Sequence, residues 1–155
     1  MNQVGIPNLD KQLEASLIAD MKKVEDLMRS HIEGDYPLVV ETSRHLVEAG
    51  GKRLRPLLTL ISAQFGDPTN YDIIKAAVCC ELTHLATLYH DDVMDDAVLR
   101  RGVISANKKW NNAVAILTGD YLFSKVSDML ADIGPDAVKL QAKTFDKFKT
   151  RIGNH

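Results

Sequence analysis

Cysteine is scarce in this 155-residue chain: there are two, Cys79 and Cys80, adjacent within an apolar segment. Neighbouring cysteines cannot staple distant loops, and the absence of a CxxC spacing excludes familiar zinc and thioredoxin patterns. A reducing, intracellular compartment, the cytoplasm, is therefore expected. Nine glycines and five prolines are too few for a linker-rich or disordered chain. No run approaches the roughly 18 apolar residues that span a membrane. The N-terminus, MNQVGIPNLDKQ, has neither the basic nor the apolar region expected of a signal peptide. Charge of one sign is missing too, since 21 Asp+Glu against 19 Lys+Arg leave a net charge of -2. That excludes a chain that wraps nucleic acid by bulk charge, although it leaves room for a local basic site. What is present, 45% hydrophobic and 26% charged residues, is the balance of a folded soluble domain. A chain of this size buries about two thirds of its unfolded surface, enough for one sizeable core and not two.

The periodicity is helical almost throughout. Leu13, Leu17, Met21, Val24 and Met28 recur at three and four residues and predict a helix over about 9–28, with Asn8 or Asp10 as its cap. Pro37 can open a second helix, Leu38 to Ala49, which Gly50-Gly51 stops. A third follows Pro56 as far as Gly66, where Gly66-Asp67-Pro68 turns the chain. From Tyr71 to about Met94 the middle is apolar nearly all round, which predicts a buried central helix. Residues 97–112 read as irregular, and helices over about 113–131 and 136–149 follow, separated by Gly134-Pro135. No strand alternation or repeat period is visible, so the expectation is an all-α assembly of about six helices.

Asp91-Asp92-Val93-Met94-Asp95-Asp96 places four carboxylates in six positions. They repel one another unless something positive sits between them. Asp91 and Asp95 stand about 40° apart on one helix face and roughly 6 Å apart along the axis. That spacing suits a hard divalent cation, and Mg2+ is commonly held by one or two carboxylates while phosphates and waters complete its octahedron. Taken alone, the cluster also reads as a solvated acidic helix end. His84, Leu88, Asp91 and Asp95 form one stripe about three turns long, with Glu81 three residues before His84.

Gly50-Gly51-Lys52-Arg53-Leu54-Arg55-Pro56 is the opposite in sign. Three cations in four positions, after two glycines and before a proline, set positive charge and open backbone N–H groups at a helix start, a combination that holds phosphate. It lacks the P-loop spacing and, alone, is equally a basic surface loop. Arg100-Arg101-Gly102 can supply bidentate phosphate contacts or pair with Asp95 and Asp96. Gly119, inside a predicted helix, implies either close packing or a bend. One carboxylate face and two basic clusters together suggest a site for one diphosphate or two. No GxSxG, histidine-paired serine or HExxH is present. Metal-assisted departure of an activated leaving group needs none of them.

GGKRLRP at 50–56, ELTHLATLYHDDVMDDAVLRRG at 81–102 and AVAILTGDYLF at 113–123 together resemble the trans-prenyltransferase family, the head-to-tail isoprenyl (polyprenyl) diphosphate synthases. The match keeps family order and spacing over nearly the whole chain. It implies the isoprenoid synthase-type helical bundle, usually homodimeric. It also implies Mg2+-dependent condensation of isopentenyl diphosphate with an allylic diphosphate (geranyl, farnesyl or longer) to an (E)-polyprenyl diphosphate, a product suited to membranes. By resemblance, Asp91 and Asp95 ligate Mg2+ with Asp92 in support, and Arg100 contacts the allylic diphosphate. Lys52, Arg55, His84, Arg101 and the Gly51 backbone bind isopentenyl diphosphate. Ala86 and Thr87 are small where short-chain members carry aromatics, which implies a product longer than farnesyl. No second acidic motif is present, and the Lys-Thr and Phe-Gln motifs that the family carries further downstream are absent. The expected organisation is therefore the N-terminal half of a synthase domain over residues 1–155, an incomplete bundle with little activity as this chain alone. Two alternatives stand beside it: a non-catalytic short subunit that modulates a prenyltransferase partner, and a class I terpene cyclase fragment. The complete set of acids and arginines speaks against the first, and the second diphosphate site speaks against the other.

Overall fold

The computed structural model describes residues 4–34 and 36–147. Asp10 is the cap of α1 (Lys11–His31), its carboxylate accepting from the backbone N–H groups of Gln12 and Leu13 at 3.0 Å each. Of the predicted stripe, Leu17, Val24 and Met28 are buried, while Leu13 and Met21 pack at the core's edge. Pro37 opens α2 (Pro37–Glu48), where its missing N–H is no loss. Helix α3 (Leu54–Ala63) starts two residues before Pro56, which sits in the first turn, and the ring is tolerated there for the same reason.

The predicted central helix is α4 (Asp72–Met94), which packs against α1, α3 and α6 (Asn112–Ile133). Leu82, Leu85 and Tyr89 from α4 meet Leu122, Val126 and Met129 from α6 in the core. Each such side chain contributes about 1.5–3 kcal/mol by leaving water. The phenol of Tyr89 donates to the carbonyl of Thr42 and accepts from the N–H of Leu46, which clips α2 to α4. Burial pushes that phenol well above its ordinary range. Gly119 decides between its two readings in favour of close packing. α6 runs unbroken through it, and a Cβ there would collide with the His90 ring of α4.

Two expectations need correcting. Residues 97–112 are ordered: β1 (Leu99–Arg100) pairs antiparallel with β2 (Val103–Ile104), and a short helix, α5 (Ala106–Lys109), follows. Arg101 and Gly102, both at positive φ (54° and 79°), make the tight connection between the strands. Two-residue strands carry no alternation to read. The helices number seven among the described residues, and the addition to the expected six is the four-residue α5. The last, α7 (Pro135–Asp146), begins one residue early, and its predicted continuation to Lys149 reaches outside the described residues. Among the described residues no helix is long and apolar enough to cross a membrane.

Candidate active site

The acidic run spans the last turn of α4 and the two residues after it, and the changing direction of the backbone sends successive carboxylates different ways. Asp92 points inward and is fully buried, and one of its oxygens accepts from Arg100 Nε at 2.6 Å and Nη2 at 2.5 Å. Its other oxygen has no partner among the described residues. Asp96, in a left-handed conformation, pairs with Lys108 at 2.6 Å. Asp91 and Asp95 are the remaining two. They stand one turn apart, and neither carboxylate has a hydrogen bond or ion pair among the described residues.

The basic loop sorts its charges in the same way. Arg53 is the N-cap of α3 at φ 45°, a left-handed turn that folds its side chain under the loop. It is 9% exposed and donates to Glu25 at 2.5 Å, Glu81 at 3.1 Å and the Val47 carbonyl at 2.9 Å. Arg53 is therefore a structural cation, and the three-cation cluster of the sequence is in effect two. Lys52 and Arg55 remain exposed and without an ion pair among the described residues. Arg101 joins the loop from the hairpin turn, donating to the carbonyls of Leu46 and Gly50 and standing 3.5 Å from Glu81.

Between α3, α4, the end of α6 and α7 lies a cavity of about 870 Å³. Arg55, His84 and Asp91 line its polar end, and Leu58, Ala76, Leu130, Ile133 and Leu140 give it apolar walls. A pocket with a charged mouth and an apolar barrel suits an amphiphile with an anionic head. The neighbours of His84 include both clusters. Burial pulls its pKa below the ordinary value, Arg55 and Arg101 pull the same way, and Glu81 and Asp91 oppose them. That shift favours the neutral imidazole, which can give one hydrogen bond and take another. Cys79 lies in the wall with its thiol pushed up to about 12 by burial, so it is unreactive; both cysteines are free.

Residues 36–152 match the family model described as polyprenyl synthetase. The chain belongs to that family. It is 44% identical over 147 residues to the nonaprenyl diphosphate synthase of Mycobacterium tuberculosis, covering 94% of this chain and 44% of that protein. Against heptaprenyl diphosphate synthase component 2 of Geobacillus stearothermophilus it is 41% identical over 138 residues, covering 86% and 42%. A solved geranylgeranyl pyrophosphate synthase from Corynebacterium glutamicum, complexed with calcium and isoprenyl diphosphate, superposes with a TM-score of 0.79 at 43% identity, over 91% of this chain and 43% of that one. This polyprenyl synthetase chain thus spans less than half the length of the relatives it matches. The all-α isoprenyl synthase fold is shared with these structures, and the family decides against the terpene cyclase alternative.

In the polyprenyl synthetase chain, then, the fold brings Arg55, His84, Thr87 and Asp91 to one cavity and sets Gly51 against Arg101. It pairs buried Asp92 with half-buried Arg100, and leaves Lys52 and Asp95 exposed. Ala86 does not reach the cavity. It is fully buried, with its carbonyl against Gly119 of α6. Sequence reading left two features without a role. Glu81, a carboxylate inside an apolar helix, was itself the signal for a buried charge partner. The α7 wall was visible as Ala137, Leu140, Gln141 and Thr144 at helical spacing.

Proposed function

We propose that this chain takes part in Mg2+-dependent head-to-tail condensation of isopentenyl diphosphate with an allylic diphosphate, to give an (E)-polyprenyl diphosphate. The observation that carries the reading is the sorting of charges. Of four clustered carboxylates Asp91 and Asp95 have no partner among the described residues, and of three clustered cations the same holds for Lys52 and Arg55. Unpaired charges cost stability where they repel, and a ligand of opposite sign removes that cost. Among the described residues no three His, Cys, Asp or Glu side chains converge as a metal site. Two neighbouring carboxylates fit Mg2+ when substrate phosphates supply further ligands. Bound there, Mg2+ would screen the charge that develops on a departing diphosphate.

The chain's own groups then have definite tasks. Asp91 and Asp95 would hold the cation, and Asp92 orients Arg100, the group for the allylic diphosphate. Lys52, Arg55, neutral His84 and the N–H groups of the Gly51 loop take the diphosphate of isopentenyl diphosphate. The apolar walls receive the hydrocarbon tail, and Thr87 is small enough to let a chain longer than farnesyl pass. That Asp91 and Asp95 have no partner among the described residues favours a substrate-holding chain over a purely modulating subunit. A homodimer and a cytoplasmic setting belong to the same proposal. Turnover is the weaker property, because each missing charge contact in such a site costs several kcal/mol.

Calorimetry tests the reading. Mg2+ uptake should be slight until a bisphosphonate analogue of the allylic diphosphate is added, and the analogue effect should vanish in Asp91→Ala. Tight Mg2+ binding that ignores the analogue would overturn it.

A further inference from the structure

Glu81 is 2% exposed in the middle of α4. A buried carboxylate is costly unless it is paired and hydrogen-bonded, so its neighbours explain its place. One oxygen, Oε1, accepts from Arg53 Nη1 at 3.1 Å and stands 3.5 Å from Arg101 Nη2. The two arginines come from different loops, and both are held in the left-handed region, which non-glycine residues seldom occupy. Beyond Glu81 each reaches back to the end of α2. Arg53 donates to the Val47 carbonyl, and Arg101 donates to those of Leu46 and Gly50. The Arg101 guanidinium lies so close over Gly51 that a Cβ there would meet it at 3.0 Å. One carboxylate oxygen therefore ties together the end of α2, the Gly50–Gly51 loop, the start of α3 and the hairpin turn.

We propose that Glu81 is a positioning residue for diphosphate binding. By gripping Arg53 and Arg101 from beneath, it fixes the loop between them and so aims Lys52, Arg55 and the loop N–H groups at the ligand. This rests on reading that loop as a diphosphate cradle. The role is geometric, and a geometric role differs in sign from an electrostatic one. Glu81 is an anion beneath a cationic cradle, so loss of its charge alone would raise the local potential and tighten anion binding. Loss of its grip loosens the cradle and weakens binding.

The experiment titrates inorganic diphosphate into the 155-residue chain, into Lys52→Ala, and into Glu81→Gln and Glu81→Asp, with circular dichroism confirming that each is folded. The wild type should bind, Lys52→Ala should bind more weakly, Glu81→Gln should lose about tenfold in affinity, and Glu81→Asp should fall between. The amide resonances of Gly50 and Gly51 should broaden in Glu81→Gln before any ligand is added. If Glu81→Gln fails to fold, Arg101→Lys carries the test. It keeps the charge but loses the guanidinium fork, and should weaken binding in the same direction. Unchanged or tighter binding by a folded Glu81→Gln (or Arg101→Lys), alongside weakened Lys52→Ala, overturns the positioning role and leaves the cradle standing. If the wild type does not bind diphosphate, or Lys52→Ala binds as well as wild type, the cradle itself fails and the proposal with it.

Discussion

The acidic end of α4 and the basic loop before α3 solve one problem by different means. Each crowds charges of one sign, and each turns part of that charge into the protein, where opposite charge meets it: Asp92 with Arg100, Arg53 with Glu81 and Glu25. On the helix the sorting follows from rotation, since Asp92 is about 100° from Asp91 and must face elsewhere. In the loop it follows from the left-handed backbone at Arg53, which regular structure does not dictate. The lesson is that a charge cluster is not one functional unit. The inward members build the frame, and the outward ones are available to a ligand.

The largest effect should come from Arg53→Ala. It leaves buried Glu81 with Arg101 alone at 3.5 Å and Glu25 with Arg29 alone at 3.3 Å, and breaking a buried ion pair from one side costs about 3–5 kcal/mol. Urea unfolding of the neighbouring Lys52→Ala should differ from wild type by no more than about 0.5 kcal/mol. Equal losses at the two positions would erase the inward–outward distinction in the loop. The corresponding pair on α4 should show a smaller gap. Asp92→Ala leaves Arg100 without its partner and should cost about 1–3 kcal/mol. Asp91→Asn removes repulsion on an open face, so stability should hold or rise by a few tenths of a kcal/mol, while analogue-dependent Mg2+ uptake disappears.

The smallest effect is also the most local comparison of the two clusters, because His84 feels both. Its pKa in the folded chain lies below the ordinary 6.5, with burial first and Arg55 next among the causes. Above that ordinary value both folded and unfolded chains carry it neutral. As pH falls below it, the unfolded chain takes up the proton first, so stability declines until the folded value is passed and then levels off. Thermal midpoints at neutral and mildly acidic pH should therefore show a modest decline in wild type that shrinks in His84→Gln. An NMR titration should show the His84 pKa rising in Arg55→Ala and falling further in Asp91→Asn. Opposite movements would mean that the basic loop is not the dominant charge at the cavity mouth.

Much of the molecule was legible beforehand because its signals are local. The Asp10 cap, the Leu17–Val24–Met28 stripe, Pro37, the stop at Gly50 and the buried character of α4 all depend on residues within a turn or two of one another. The stripe of His84 and Asp91 was readable for the same reason, and both do line one cavity. The hairpin was not, because Leu99–Arg100 and Val103–Ile104 are too short to alternate. Nor was the separation of Arg100 from Arg101. It depends on a two-residue turn that sends the first to Asp92 and the second to Glu81 and the loop carbonyls.

By itself the sequence determined the helices, the two families of charge and the order in which they occur, since periodicity, caps and composition act over a few residues. Which of the basic charges remain outward was decided by tertiary structure. Arg53 and Arg101 turn inward only because Glu81, on another element, is buried within their reach and a buried carboxylate must be met by a cation. The close approach of α6 to the Ala86 carbonyl likewise depends on Gly119, where a Cβ would collide. Contacts between residues far apart in the chain carry no local signature, and they set the direction in which each side chain faces.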